Sequence, residues 1–313
     1  MQSSKCCTTL DVTFSVVSIE DKPWIDRIIK LEDARSCDWC FSNIFNWAEC
    51  NDVDCERKVA QMGDRLGLML SCEGERFFCF PIGQGDLVPA ISIFHQIART
   101  YDERLKLRGL TVKHRDELEQ AFPGQFDFIL EENIFDYVYE AEKLATLAGK
   151  KLHAKRNHIN RFVGNHPNWQ FEPLTKQLIP ECMEMSRAWL ETHQGDFSRE
   201  GVALQKTFQY FDEMQLEGGV LRVDGRVIAF TIGEPLNSDT YIVHFEKAFS
   251  DIQGAYAMIN REFIRHVLKQ YPHIQYVNRE EDLGIESLRR SKRSYYPAFL
   301  IEKYIAIERE VCV

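Results

Sequence analysis

One pattern can be read twice along this 313-residue chain: strand, helices, hairpin, helix, strand, helix, strand. In the first half, residues 13–19 are rich in β-branched side chains and predict a strand. Asp21-Lys22-Pro23 opens a helix, and a second helical stretch covers residues 39–49. Residues 66–72 and 76–81 form a hairpin across Glu73-Gly74-Glu75. A helix at 89–107, a strand at 110–112, a helix at 115–121 and a strand at 126–130 complete this half. The second half begins with a strand at 169–172 and helices at 178–192 and 202–214. A hairpin turns at Asp224-Gly225, and a strand at 241–247 ends in charge. Ala255, Met258, Ile259, Phe263 and Val267 then share one helical face, and Tyr271-Pro272 stops that helix. A short strand at 274–277, a basic helix and a last strand follow. The simplest account is an α+β domain duplicated in tandem, each copy a mixed sheet flanked by helices. Residues 1–131 and 165–313 would form the two copies. Residues 132–164 would link them through a helix carrying Tyr137, Leu144 and Leu147 and a basic segment.

Composition narrows the chemistry. No apolar run approaches the roughly 18 residues of a membrane span, and the N-terminus lacks a signal peptide's basic and apolar regions. A cytoplasmic location is expected, where ten cysteines are thiols rather than bridges. Cys37-Asp38-Trp39-Cys40, with Cys50 and Cys55, has the outline of a zinc site. Trp39, Phe41, Ile44, Phe45 and Trp47 surround these thiols, so packed cysteines are the better reading and no metal is expected. A net charge of −10 weighs against nucleic-acid binding, tRNA included. Two basic runs stand out against it, residues 150–157 with Arg161 and residues 289–293. Either suits phosphates, although a solvated face is the commoner fate of such runs.

The stretch from Tyr241 to Tyr304 gathers the polar residues. A strand, the turn Gln253-Gly254-Ala255 and a helix N-terminus together form an anion site, since unpaired N–H groups and the helix dipole face the ligand.

Three stretches carry a family resemblance. They are Asp136 to Tyr139 with Lys150 to Phe162, His244 to Lys247 with Gly254 to Tyr256, and Val277 to Gly284 with Leu288-Arg289 and Lys292 to Pro297. Over most of its length the chain resembles the C-terminal catalytic domain of bacterial phosphatidylglycerol lysyltransferases. That family looks like a tandem of GCN5-related N-acyltransferase folds. The resemblance implies acyl or aminoacyl transfer from an activated carrier to an amine or hydroxyl. The donor would be coenzyme A carrying an acyl group, or an aminoacyl-tRNA. The acceptor would be a small molecule or a lipid headgroup. The chain departs from the family in its acidic balance and in having no membrane region. Its turn keeps only Gly254 of the superfamily's acetyl-CoA loop, with Asp251 and Tyr256 at the other places. The charge and the missing membrane region tilt the expectation towards coenzyme A and a soluble acceptor.

Transfer needs a base, donors for the developing oxyanion and an acid for the leaving group. Glu246 is the candidate base or amine-binding anion, against an ion pair with a neighbour such as Lys247. Glu280 could serve as base and Glu281 could bind an amino group, against the alternative of charge at a helix N-terminus. Asn278 could line the oxyanion, and Tyr295 could be the acid rather than a packed aromatic. Arg289, Lys292 and Arg293 share a helix face suited to cofactor phosphate. Lys155, Arg156 and Asn160 could reach the same cleft from the linker. His244 reads as a satisfied core histidine on the substrate side rather than a catalyst. The competing class is a ligand-binding protein that keeps the fold without turnover.

Overall fold

The computed structural model describes residues 12–50, 55–72, 74–192 and 198–310. The first half supplies β1 (Ser15–Val16), α1 (Lys22–Glu32), α2 (Phe41–Asn46), β2 (Glu49–Cys50), β3 (Cys55–Met62), β4 (Arg65–Cys72) and β5 (Glu75–Cys79). It continues through α3 (Leu87–Thr100), β6 (Lys106–Leu110), α4 (Val112–Ala121) and β7 (Phe126–Leu130). Next come β8 (Asp136–Glu140), α5 (Ala141–Thr146), α6 (His153–Asn165), β9 (Gln170–Pro173), α7 (Ile179–Thr192) and α8 (Ser198–Gln209). The rest is β10 (Glu217–Val223), β11 (Arg226–Pro235), β12 (Thr240–Ala248), α9 (Ala255–Gln270), β13 (Tyr276–Asn278), α10 (Glu286–Arg293), β14 (Phe299–Ile301) and β15 (Tyr304–Glu308).

These strands form two mixed sheets flanked by helices, the α+β tandem that the repeat predicts. Each sheet holds one parallel pair, β5 with β6 and β12 with β13, bridged by α3 and α9 respectively. A parallel pair needs such a crossover, because a hairpin can only reverse direction. α9 buries Ala255, Met258, Ile259, Phe263 and Val267, the face expected from the sequence.

Sheet membership, however, does not follow chain order. The first sheet runs β1-β3-β4-β5-β6-β15-β7, so the C-terminal strand lies between β6 and β7. The second runs β14-β8-β13-β12-β11-β10-β9, so β8 of the linking segment lies between β13 and β14. Each sheet therefore closes around a strand sent from the other side. Tyr137 sits on that strand, not on a helix, and is buried there with Val138 and Tyr139. The last expected strand is two strands parted by Glu302-Lys303, where the chain crosses between sheets.

Other elements differ in extent. The strand expected at 13–19 is two residues long, and the helix expected at 89–107 ends at Thr100 so that β6 can form. β3 was not expected; its Glu56-Arg57-Lys58 hides the alternation that Val59, Ala60 and Met62 resume against the core. The turn residue Glu73 and the side chains of Cys50 and Cys55 lie outside the described residues. Among the described residues no helix is long and apolar enough to cross a membrane.

Candidate functional site

β12 and β13 pair only from Thr240 to Ile242 and from Tyr276 to Asn278. β12 runs on to Ala248 while β13 stops, so the two strands part and leave a gap in the sheet. A bulge shapes the gap's wall. Ile232 faces Phe245 and Gly233 faces Val243, which leaves His244 without a register partner. The extra residue reverses the side-chain alternation. Tyr241 and Glu246, five positions apart, consequently both reach α9, at Phe263 and Asn260.

Arg279, the first residue past β13, spans the gap. Its Nη2 donates to Glu246 Oε1 at 2.8 Å, and Asn260 Nδ2 donates to Glu246 Oε2 at 2.8 Å. The guanidinium lies 4.9 Å from the Tyr295 ring centre and 5.7 Å from that of Tyr139. Lys155 Nζ stands 4.0 Å over the ring of the buried Tyr295. Burial, with Arg279 nearby, brings the Lys155 amine down to about 8, against the pull of Glu246. Burial pushes the Tyr295 phenol up, so it holds its proton firmly. Two buried polar atoms here have no hydrogen-bond partner among the described residues: Arg279 Nη1 and Asn260 Oδ1. Buried polar atoms are seldom left unpaired, and this donor and this acceptor, on the two side chains that bond Glu246, outline what a ligand would have to offer.

The expected residues divide on this map. Glu246, Tyr295 and Lys155 meet at the gap. Lys247 does not pair with Glu246; it bonds Glu200 at 2.8 Å and lies over the Trp189 ring. Asn278 uses both amide hydrogens on Arg35 O and Asp136 Oδ2, and its Oδ1 accepts from the Glu280 backbone N–H. Glu280 sits at φ 58° and accepts from Asn43 Nδ2 and His244 Nδ1, each at 2.9 Å. His244 is clamped between Glu280 and Glu234; burial opposes its charge, but the two carboxylates prevail and raise it to about 9. Arg289 grips both oxygens of Asp282 and also reaches Asn133. Lys292 is buried and donates to the carbonyls of Arg279 and Glu281, and burial lowers it to about 8. Arg156 donates to the carbonyls of Leu147 and Gly149, while Asn160 and Arg293 are exposed. The first basic run lies over the tyrosines that follow the second: Lys155 over Tyr295 and Lys151 over Tyr296.

The turn before α9 is arranged differently from an open anion cradle. Gly254 has φ 91°, and a Cβ added to it would lie 2.3 Å from the His158 carbonyl oxygen of α6. Only glycine permits this approach. The Ala255 N–H is taken by Ile252 O, and Gln253 is exposed.

A second polar cluster lies where the chain crosses between sheets. Lys303 Nζ is fully buried, 2.7 Å from Asp38 Oδ2, 2.7 Å from Asp136 Oδ1 and 3.2 Å from Glu281 Oε1. Cys37 Sγ is 3.4 Å away from the same ammonium and donates to Asp136. Burial works against the Lys303 charge, but Asp136 and Asp38 outweigh it and hold the proton above the ordinary range. Burial pushes Glu281 up to about 7, assisted by Asp38 and Asp136 against Lys303. Arg279, Lys303, Asp136 and Asp38 were not singled out from the sequence. Arg279, Asp136 and Asp38 lie inside stretches with a sequence signal of their own, whereas Lys303 carries none. Cys37 and Cys40 do not converge on one site: Cys37 joins this cluster, and Cys40 lies beside Glu234 and His244.

The model of the family "Phosphatidylglycerol lysyltransferase, C-terminal" matches residues 33–307. An uncharacterized protein of Mycoplasmoides gallisepticum is 24% identical over 192 residues, 56% of this chain and 57% of that relative. The match thus spans little more than half of that relative's length. A conserved protein of unknown function from Bacteroides thetaiotaomicron superposes with a TM-score of 0.88 at 36% identity, covering 95% of this chain and 100% of that one. The L-PGS structure from Bacillus licheniformis shares the fold, with a TM-score of 0.58 at 17% identity over 83% of this chain and 86% of that one. The chain therefore belongs to the phosphatidylglycerol lysyltransferase C-terminal domain family.

Proposed function

We propose that this protein transfers an aminoacyl group from an activated ester, of the aminoacyl-tRNA type, to a hydroxyl or amine acceptor at the gap between β12 and β13. The observation that carries this reading is the pair of unpartnered buried atoms, Arg279 Nη1 and Asn260 Oδ1. An aminoacyl ester presents both complements on adjacent carbons, a carbonyl oxygen for the donor and an α-amine for the acceptor. An acetyl group presents only the first. Glu246, already bonded to Asn260 and Arg279, adds negative charge beside the amine.

In the reaction the acceptor oxygen or nitrogen attacks the ester carbon, and Arg279 Nη1–H steadies the oxygen that gains charge. The carbon–oxygen bond to the carrier then breaks. Lys155, whose amine titrates at about 8, gives its proton to the departing oxygen, and the acceptor's proton passes to solvent or the freed amine. The packing of α6 on Gly254 counts against coenzyme A, because it closes one side of the turn its pyrophosphate would use. Lys151, Lys155 and the exposed Arg290 and Arg293 make a local basic surface for carrier phosphates.

The acceptor is proposed as a small molecule or a lipid headgroup. One observation favours a second reading, a ligand-binding protein without turnover: Glu246, Glu280 and Asn278 are all engaged in internal hydrogen bonds. Calorimetric titration with a non-hydrolysable aminoacyl-adenosine amide, acetyl-CoA and CoA tests the set. Saturable binding of the amide, weakened at least tenfold in Glu246→Gln, supports the aminoacyl reading. Micromolar binding of CoA, about −8 kcal/mol, with no response to the amide would overturn it. Binding of the amide without transfer from charged tRNA to any hydroxyl or amine acceptor supports the second reading.

A further inference from the structure

One set of chemically capable atoms takes no part in the transfer chemistry. Cys40 Sγ, a Glu234 carboxylate oxygen and a His244 imidazole nitrogen all lie within 4.8 Å of one another. We propose that these three side chains bind a divalent transition-metal ion, Zn2+ by preference, which ties the first half of the chain to the second.

The three ligands come from separate elements that only the tertiary fold unites. Cys40 immediately precedes α2, Glu234 lies on β11 opposite Ile242, and His244 is the bulged residue of β12. Thiolate, imidazole and carboxylate together form a donor set that suits Zn2+. Bonds of about 2.0–2.2 Å around a tetrahedral ion hold nitrogen and oxygen ligands roughly 3.3 Å apart. His244 Nε2 and Glu234 Oε1 stand at 3.0 Å, so the pair needs only a small spread.

The rest of the imidazole is also arranged for a metal. Nδ1 bonds Glu280 at 2.9 Å, which leaves Nε2 to face the ion, the arrangement in which a carboxylate orients a metal-bound histidine. Glu280 is fixed in turn by Asn43 Nδ2 and by its left-handed backbone at φ 58°. Cys40 is 5% exposed and the His244 side chain 1%, while the Glu280 side chain at 21% marks the way in.

Charge is conserved in the exchange. The ion takes the place of the Cys40 thiol proton and of the proton shared by His244 Nε2 and Glu234, and both protons pass to buffer. Two positive charges enter as two leave, so the buried site gains no net charge. The neighbouring group of Cys37, Asp38 and Glu281 has similar atoms but does not qualify. Lys303 Nζ already stands 2.7 Å from Asp38, 3.2 Å from Glu281 and 3.4 Å from Cys37, where a metal would have to sit.

The full chain, stripped with a chelator, is titrated with Co2+ and then with Zn2+. The expected result is one Co2+ per chain with a thiolate-to-cobalt absorption band, loss of the band on adding Zn2+, and a higher melting temperature with either ion. Cys40→Ser removes the band. Glu234→Gln keeps it but weakens Co2+ binding at least tenfold, and this variant carries the test if Cys40→Ser does not fold. Absence of a thiolate band in the wild-type chain overturns the proposal. So does a band that survives in folded Cys40→Ser, or unchanged Co2+ affinity in Glu234→Gln. The aminoacyl reading is independent of this result, because its readout is the adenosine amide and not the metal.

Discussion

Two buried ionic clusters, each touching a strand of the second sheet, differ in how completely they are satisfied. At the crossing, Lys303 meets Asp38, Asp136 and Glu281, and Asp136 is further bonded by Asn278 and by Cys37 N–H and Sγ. At the gap, Glu246 is bonded by Arg279 and Asn260, yet each of those partners leaves one buried atom unpaired among the described residues. A closed network rigidifies, and an incomplete one has room for a ligand. The difference separates the residues that hold the halves together from those proposed to bind substrate.

Breaking the crossing gives the largest expected effect on stability. Lys303→Met leaves three carboxyl groups around an apolar side chain and is expected to cost roughly 3–5 kcal/mol in denaturant unfolding. A loss below about 1 kcal/mol would show that the cluster does not hold the seam.

The gap responds in the opposite way. Arg279→Lys removes the planar fork that serves Glu246 and the orphaned donor together, and lysine cannot replace it. Aminoacyl transfer is expected to fall about a hundredfold, with a smaller change in unfolding free energy than Lys303→Met produces. Equal damage to stability from both variants erases the contrast.

Adjacent carboxylates sharpen it through pH. Glu281 titrates in the folded chain at about 7, above its ordinary 4.5. The unfolded chain therefore releases this proton first, and stability is lost as pH rises between those values. For Asp282 burial works upward, but Arg289 and Tyr137 outweigh it and lower the group from 3.8 to about 2. Its contribution is present above 3.8 and lost as pH falls towards 2. Thermal melts across pH are expected to show the neutral-side decline in the wild type and not in Glu281→Gln. A decline of equal size in that variant assigns it to another group.

The smallest effect belongs to a surface pair. Arg290 and Glu286 are 80% and 72% exposed at 3.7 Å. Arg290→Ala is expected to change stability by less than about 0.5 kcal/mol, while weakening binding of charged tRNA more at low salt than at high.

Much of this molecule follows from local pattern. The face of α9, the turn at Asp224-Gly225 and the hairpin of β4 and β5 are stated by apolar spacing and turn chemistry. Glu246, Tyr295 and Lys155 could be named as candidates because the first ends a strand, the second precedes one and the third lies in a basic run. Their roles could not be assigned, since an ion pair such as Glu246–Arg279 depends on where two strands separate. Asn278 shows the converse: its position suggested an oxyanion donor, but three hydrogen bonds to Arg35, Asp136 and Glu280 occupy it.

The sequence by itself determined the duplicated order of elements and the helix faces, because periodicity and turns act over a few residues. Only the tertiary structure decided that β8 and β15 change places between the sheets. That exchange brings Asp136, at the start of β8, against Lys303, just before β15, across more than half the chain. The His244 bulge is likewise visible only against its partner strand. Strand exchange and register are contests between distant surfaces, settled by which arrangement buries the apolar faces and pairs the buried charges together.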